Sequence, residues 1–168
     1  MRNGKFLFKL SFVLMACFAI AFSACQKDNI PNTEKPYRME TNLMMDKGLF
    51  AASLNDRTSS NVFEIQEVVR KNNLLEVKVK GGGNANSFQF IWDGVILFSY
   101  PASIQLLLKY DNSKQDFDAD KEMTIEVNLQ KILGDKHDAK DFHFNIINGS
   151  KLQTVISNPN GSTTKENK

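Results

Sequence analysis

Between residues 75 and 146 apolar side chains recur with a period of two, segment after segment. Leu75, Val77 and Val79 alternate with Glu76, Lys78 and Lys80; Phe88, Phe90 and Trp92 alternate with Gln89 and Ile91; Ile104, Leu106, Leu108 and Tyr110 alternate with Gln105, Leu107 and Lys109. The same holds for Ile125, Val127 and Leu129 against Glu126, Asn128 and Gln130, and for Phe142, Phe144 and Ile146 against His143 and Asn145. Successive side chains of a strand point to opposite faces, so each segment has one face to bury, whereas a helix would need a repeat near 3.6. Further strands are expected at Leu49 to Leu54, Val62 to Val69, Val95 to Tyr100 and Leu152 to Ile156.

Turn-forming residues separate these runs: Lys71-Asn72-Asn73, Gly81-Gly82-Gly83-Asn84, Asp93-Gly94, Asp111-Asn112-Ser113 and Asn148-Gly149-Ser150. Asp93-Gly94 between two apolar runs predicts a two-residue hairpin, because both residues tolerate positive φ. Lys131-Ile132-Leu133-Gly134 predicts one helical turn stopped by its glycine. Eight or nine short strands without a long amphipathic helix predict an all-β domain, an antiparallel β-sandwich of immunoglobulin-like type, with a small barrel as the alternative. The cysteine pair that flanks the tryptophan of antibody domains is absent. No repeat of 20 to 50 residues is visible, which excludes a solenoid or a propeller.

The 168-residue chain is not strand-forming throughout. Arg2, Lys5 and Lys9 precede an uncharged stretch from Leu10 to Ala24, too short to span a bilayer and closed by the small residues Ser23 and Ala24. This predicts an export signal over residues 1–24. Phe22-Ser23-Ala24-Cys25 resembles the lipobox of bacterial lipoproteins, whose cysteine is acylated and becomes the mature N-terminus. Cys17, after Leu14-Met15-Ala16, is the competing candidate, but cleavage there would halve the apolar segment and leave Phe18 to Phe22 exposed behind it. The resemblance therefore implies lipidation of Cys25 and attachment to a membrane through the N-terminal lipid. Two or more acyl chains make such an anchor stable, at about 0.8 kcal/mol per buried methylene. The following Gln26-Lys27-Asp28-Asn29 is similar to tags that send Bacteroidota lipoproteins to the cell surface, which implies the outer membrane and display at the surface over retention on its periplasmic side.

Residues 25–40, with Pro31, Pro36 and few apolar side chains, read as a lipidated tether, and 158–168 as a disordered polar tail. The folded domain is then expected over 41–157. Removing residues 1–24 leaves 18 basic against 19 acidic residues, so the mature chain has no basic excess to offer nucleic acid.

Few features could carry chemistry. Asp116, Asp118 and Asp120 stand at alternate positions, like the start of a calcium loop, but Lys121 occupies the position that needs glycine and Val127 the one that needs a bidentate glutamate. Asp135 to His143 gathers both histidines and three aspartates, with His143 expected to face solvent beside the core residues Phe142 and Phe144. Gly81-Gly82-Gly83 lacks the Gly-Lys-Ser/Thr of a phosphate loop and is followed by a strand. Residues Gly81 to Gly94 resemble a small family of uncharacterised Bacteroidota lipoproteins whose strand pair carries Gly-Gly-Cys, then His, then Phe-x-Leu. Gly83 and Ser87 stand where that Cys and His would be, so the resemblance implies that any activity depending on them is missing here. Phe88, Phe90 and Trp92 read as core more readily than as a sugar-stacking platform.

No catalytic residue, cofactor or metal site is assigned on these grounds. The expected function is a non-enzymatic, lipid-anchored binding or assembly module that engages an envelope protein or a glycan, and an exposed apolar patch near Trp92, Tyr100 or Tyr110 would favour it. The alternative is a calcium-dependent binding protein or hydrolase, which would bring the acidic loops 116–122 and 135–143 together at one end of the sandwich.

Overall fold

A computed structural model describes residues 36–57 and 61–167. The signal segment 1–24, Cys25 and most of the tether lie outside the described residues. Ten strands follow in chain order: β1 (Tyr37–Glu40), β2 (Leu43–Met45), β3 (Glu64–Lys71), β4 (Leu74–Gly82), β5 (Phe88–Leu97), β6 (Ala102–Tyr110), β7 (Asp118–Asn128), β8 (Phe142–Asn148), β9 (Thr154–Ser157) and β10 (Thr163–Glu166). Helix α1 (Lys47–Asn55) lies between β2 and β3, and the short α2 (Gln130–Leu133) follows β7. The strands form a seven-stranded sheet, β1-β2-β5-β6-β8-β9-β10, and a three-stranded sheet, β3-β4-β7.

The period-two faces meet as expected. Ile65, Val77, Val79, Ile125 and Val127 of the small sheet pack against Phe88, Phe90, Ile104, Leu106, Leu108, Phe144 and Ile146 of the large one in a single core. The chain is thus an all-β, two-sheet sandwich. Its pairing is not the four-plus-three antiparallel arrangement of an immunoglobulin domain, because β2 runs parallel to β5 and β6 parallel to β8. Parallel neighbours need a crossover. Between β6 and β8 that crossover is β7, a strand of the other sheet, and alternation alone does not distinguish this path from a hairpin.

Four local expectations are corrected. Leu49 to Leu54 is helix, not strand: Asp46 caps it by accepting a hydrogen bond from Leu49 N (2.8 Å). Phe50 of this helix closes a second apolar cluster with Ile91, Leu107 and Ile147, which point away from the main core. Asp93-Gly94 is not a hairpin turn but a bulge within β5, where Gly94 takes φ 81° and the register slips between Trp92 and Ile96. The tail is not disordered throughout: Thr163 to Glu166 pair with Ser157 to Thr154, through a turn held by Asn158 and Asn160. The final residues of the tether, Tyr37 to Glu40, form the edge strand β1. The helical turn before Gly134 is present, with Gly134 at φ 62°.

Side chains take the place of a neighbouring strand at the start of β3. At alternate residues its backbone points away from β4, and there Gln153 Oε1 accepts from Ile65 N (2.9 Å) while Gln153 Nε2 donates to Ile65 O (2.9 Å). Two residues earlier, Phe63 N donates to Ser150 Oγ (3.1 Å) and Phe63 O accepts from Asn148 Nδ2 (2.9 Å). All three partners are buried, so these amides and hydroxyls stand in for a missing neighbouring strand.

Candidate contact surface and the acidic sites

The register gives the sandwich two distinct ends. One carries the β5–β6 hairpin, the loop from Asp135 to Asp141 before β8, and the turn between β9 and β10. The other carries Gly81 to Ser87, the loop after Tyr110, and the start of β7 opposite Gly82.

The hairpin end is built on the bulge. Asp93 Oδ1 accepts from Val95 N (3.0 Å), and Trp92 turns inward with its Nε1 donating to Val95 O (3.1 Å). Phe88, Phe90 and Trp92 are buried, so they are core and not a stacking platform. Beyond Leu97 the chain turns through Phe98 to Pro101, where Ser99 N donates to Leu97 O (2.9 Å) and Ser99 Oγ to Pro101 O (2.6 Å). Phe98 is 96% exposed and Tyr100 fully so. Among the described residues seven large hydrophobic side chains are exposed, and four of them, Val95, Leu97, Phe98 and Tyr100, lie toward this end. Isolated exposed apolar residues need no explanation, but two aromatics together on a hairpin tip make this end the candidate contact surface.

A cleft of about 560 Å³ runs beside the tip, between Phe98, Tyr100 and Pro101 on one side and His137, Lys140 and Phe142 on the other. The His137 ring stands edge-on to Phe142, 5.6 Å between centroids. Asp138 holds the loop in shape, accepting from Lys140 N (3.0 Å) and pairing with Lys140 Nζ (3.0 Å); these bonds keep its carboxyl below the usual range and hold the Lys140 ammonium above its own. His143 is half-buried on the sheet face opposite Phe142 and Phe144, so the expectation that it faces solvent holds only in part. Its Nδ1 has no hydrogen-bond partner.

At the other end Asp116 is a hydrogen-bonded knot. Its carboxylate accepts from Tyr110 Oη (2.7 Å), Asn84 Nδ2 (2.6 Å) and Ser87 Oγ (3.2 Å). The bond from Tyr110 is the largest influence holding the Asp116 carboxyl below its ordinary value, and burial together with this carboxylate pushes the Tyr110 hydroxyl up to about 12. Gly83 lies so close that a Cβ there would stand 1.9 Å from Asp116 Cγ. Gly83 and Ser87, the positions where the resembling lipoproteins carry Cys and His, therefore both adjoin this carboxylate.

The three aspartates do not converge. Asp118 and Asp120 belong to β7, where alternate residues form a row along one face instead of a ring around a cation. Asp118 Oδ1 accepts from Asp120 N (2.9 Å), Asp120 pairs with Lys80 (3.1 Å), and Glu122 with Lys78 (2.8 Å). Among the described residues no group of three or more His, Cys, Asp or Glu is placed to hold a metal ion. The loops 116–122 and 135–143 also fail to meet. Asp118 is opposite Gly82 and Asn128 opposite Leu74, so the two loops sit at opposite ends of β4 and β7. The geometry required by the calcium or hydrolase alternative is absent from this pair of loops.

Of the residues around which the sequence placed a possible apolar patch, Tyr100 is exposed while Trp92 and Tyr110 are buried; Phe98 was not singled out, and the segment 98–101, expected as strand through Tyr100, is a turn. The signal was present in Phe98-Ser99-Tyr100-Pro101, an aromatic pair interrupted by turn residues. No family model, curated protein or solved structure matches this chain.

Proposed function

We propose that this chain is a lipid-anchored envelope protein, held in the outer membrane through Cys25 and displayed at the cell surface, whose β-sandwich is a non-enzymatic contact module. The observation that carries the reading is the full exposure of Phe98 and Tyr100 on a hairpin whose turn is tied by Ser99. A rigid base with exposed aromatics contributes large contact area at low entropic cost, and the adjoining cleft offers Lys140 and His137 as polar partners.

The test is palmitate labelling with protease accessibility on intact cells, comparing the native chain with Cys25→Ala. The native protein should be labelled and shaved from the surface. The Cys25→Ala chain should be unlabelled and partition into the aqueous phase of a detergent extraction. An unlabelled native chain, or a Cys25→Ala chain that stays with the membrane, overturns the anchor; a labelled but protected chain overturns surface display.

A further inference from the structure

The geometry points to the bilayer itself as the occupant of the hairpin end: Phe98 and Tyr100 rest in the interfacial layer of the membrane that holds the N-terminal anchor. This rests on the lipoprotein reading above and names the partner of that contact surface.

The first support is the direction from which the chain reaches the sandwich. β1 is antiparallel to β2, and β2 is parallel to β5, which places Tyr37 opposite Met45 and level with Trp92. The chain therefore comes into the sheet from the hairpin end. The second is reach. Eleven residues lie between Cys25 and Tyr37, twelve Cα steps that span at most about 40 Å even when fully extended. An acylated Cys25 thus keeps the domain close to the lipid, and the direction in which the chain enters β1 favours the hairpin end over the Asp116 end as the face turned to it.

The third is chemistry. An apolar ring paired with a tyrosine, whose hydroxyl stays wet, suits the water–hydrocarbon boundary. Lys136 and Lys140 flank the tip and have stems long enough to lie along apolar surface with their ammonium groups among headgroups. Asp135, Asp138 and Asp141 accompany these lysines, so the loop has no net positive charge to draw it to anionic lipid. The contact is therefore driven by the aromatics, works on neutral phosphatidylcholine and changes little with salt. A glycan or a protein partner would have no need of the anchor and the aromatics at one end.

The full chain, extracted in detergent and reconstituted into phosphatidylcholine vesicles brominated on the acyl chains, gives the test. Phe98→Trp reports depth at the tip and Lys114→Trp reports the opposite end, each read as a difference from the native chain with its buried Trp92. Bromolipid should quench the Phe98→Trp signal several-fold more strongly than that of Lys114→Trp, equally at low and high salt. Equal quenching at both ends, or none at the tip, overturns the inference while palmitate labelling leaves the anchor standing. Should the chain carry no palmitate, the same reporters are read with vesicles added from outside: quenching confined to the tip upholds the contact and removes only the anchor, and its absence overturns both. A Phe98→Trp emission blind to bromolipid but shifted by envelope polysaccharide would assign this end to a glycan and overturn the bilayer.

Discussion

At the Asp116 end the polar groups of the loops are engaged with one another. Asn84, Ser87 and Tyr110 converge on one carboxylate, and Asn148, Ser150 and Gln153 satisfy the backbone of Phe63 and Ile65 at the start of β3. At the hairpin end apolar side chains are left in solvent, and three buried polar atoms, Arg70 Nε, His143 Nδ1 and Ser157 Oγ, lack a protein partner. The difference separates loops that stabilise the fold from loops that are open to contact, since hydrogen bonds closed within the protein leave little for a ligand.

The comparison is most exposed at Gln153. Gln153→Ala removes the partners of both Ile65 N–H and Ile65 C=O inside the protein, and a buried group left unsatisfied costs about 1–3 kcal/mol. A loss of roughly 3 kcal/mol in chemical denaturation is expected. Gln153→Met, which keeps the volume, should lose a comparable amount if the hydrogen bonds and not the packing carry the effect.

Tyr110→Phe should cost less, and its cost should depend on pH. The Asp116 carboxyl is held below its unfolded value, so its contribution is present above about pH 4 and disappears as pH falls through the folded value. Tyr110 is raised to about 12 from 10.0, so its contribution is complete below pH 10 and is lost as pH rises toward 12. Stability curves of the native chain should fall at both limits, and Tyr110→Phe should flatten each of them. An unchanged acid limb would mean that the knot does not stabilise the fold. Lys71, Lys78 and Lys140, also raised by acidic partners, titrate on the alkaline side and are common to both proteins.

Replacing the tip residues together, Phe98→Ser with Tyr100→Ser, should leave the denaturation midpoint within about 0.5 kcal/mol of native, because both side chains are already in solvent. A large loss would show that the tip belongs to the fold and would erase the contrast between the two ends. Smallest of all is Asp118→Asn with Asp120→Asn. These exposed strand residues pair locally and with Lys80, so melting should change little and calcium should shift neither protein. A calcium-dependent rise confined to the native chain would restore a cation site there.

Much of the fold could be read from alternation because both core faces are continuous. Leu75 to Val79, Ile104 to Tyr110 and Ile125 to Val127 bury the residues expected of them. Ile91 and Leu107 fell on the face expected to be polar, and an apolar residue on that face is itself a sign that something covers it. The cover is α1, whose nine residues were too few for a helical period to show, although Asp46 before Lys47-Gly48-Leu49 is a usable cap signal. Of the candidate sites, the acidic triplet resembled a calcium loop only in its spacing, and the structure shows why spacing is not enough: alternate carboxylates converge in a loop but line up along a strand. Lys78 and Lys80, at the same alternation in β4, were the sequence clue to cross-strand pairing.

The sequence by itself determined the central strands, the face that each turns to the main core and most of the turns between them, because these depend on neighbours one to four residues apart. Tertiary structure alone decided that β6 neighbours β8 in parallel, that Gln153 bonds the backbone of Ile65 from 88 residues away, and that the chain enters β1 from the direction of the hairpin end. Those outcomes depend on which strand edges and loops meet after the two sheets pack, and no local periodicity carries that information.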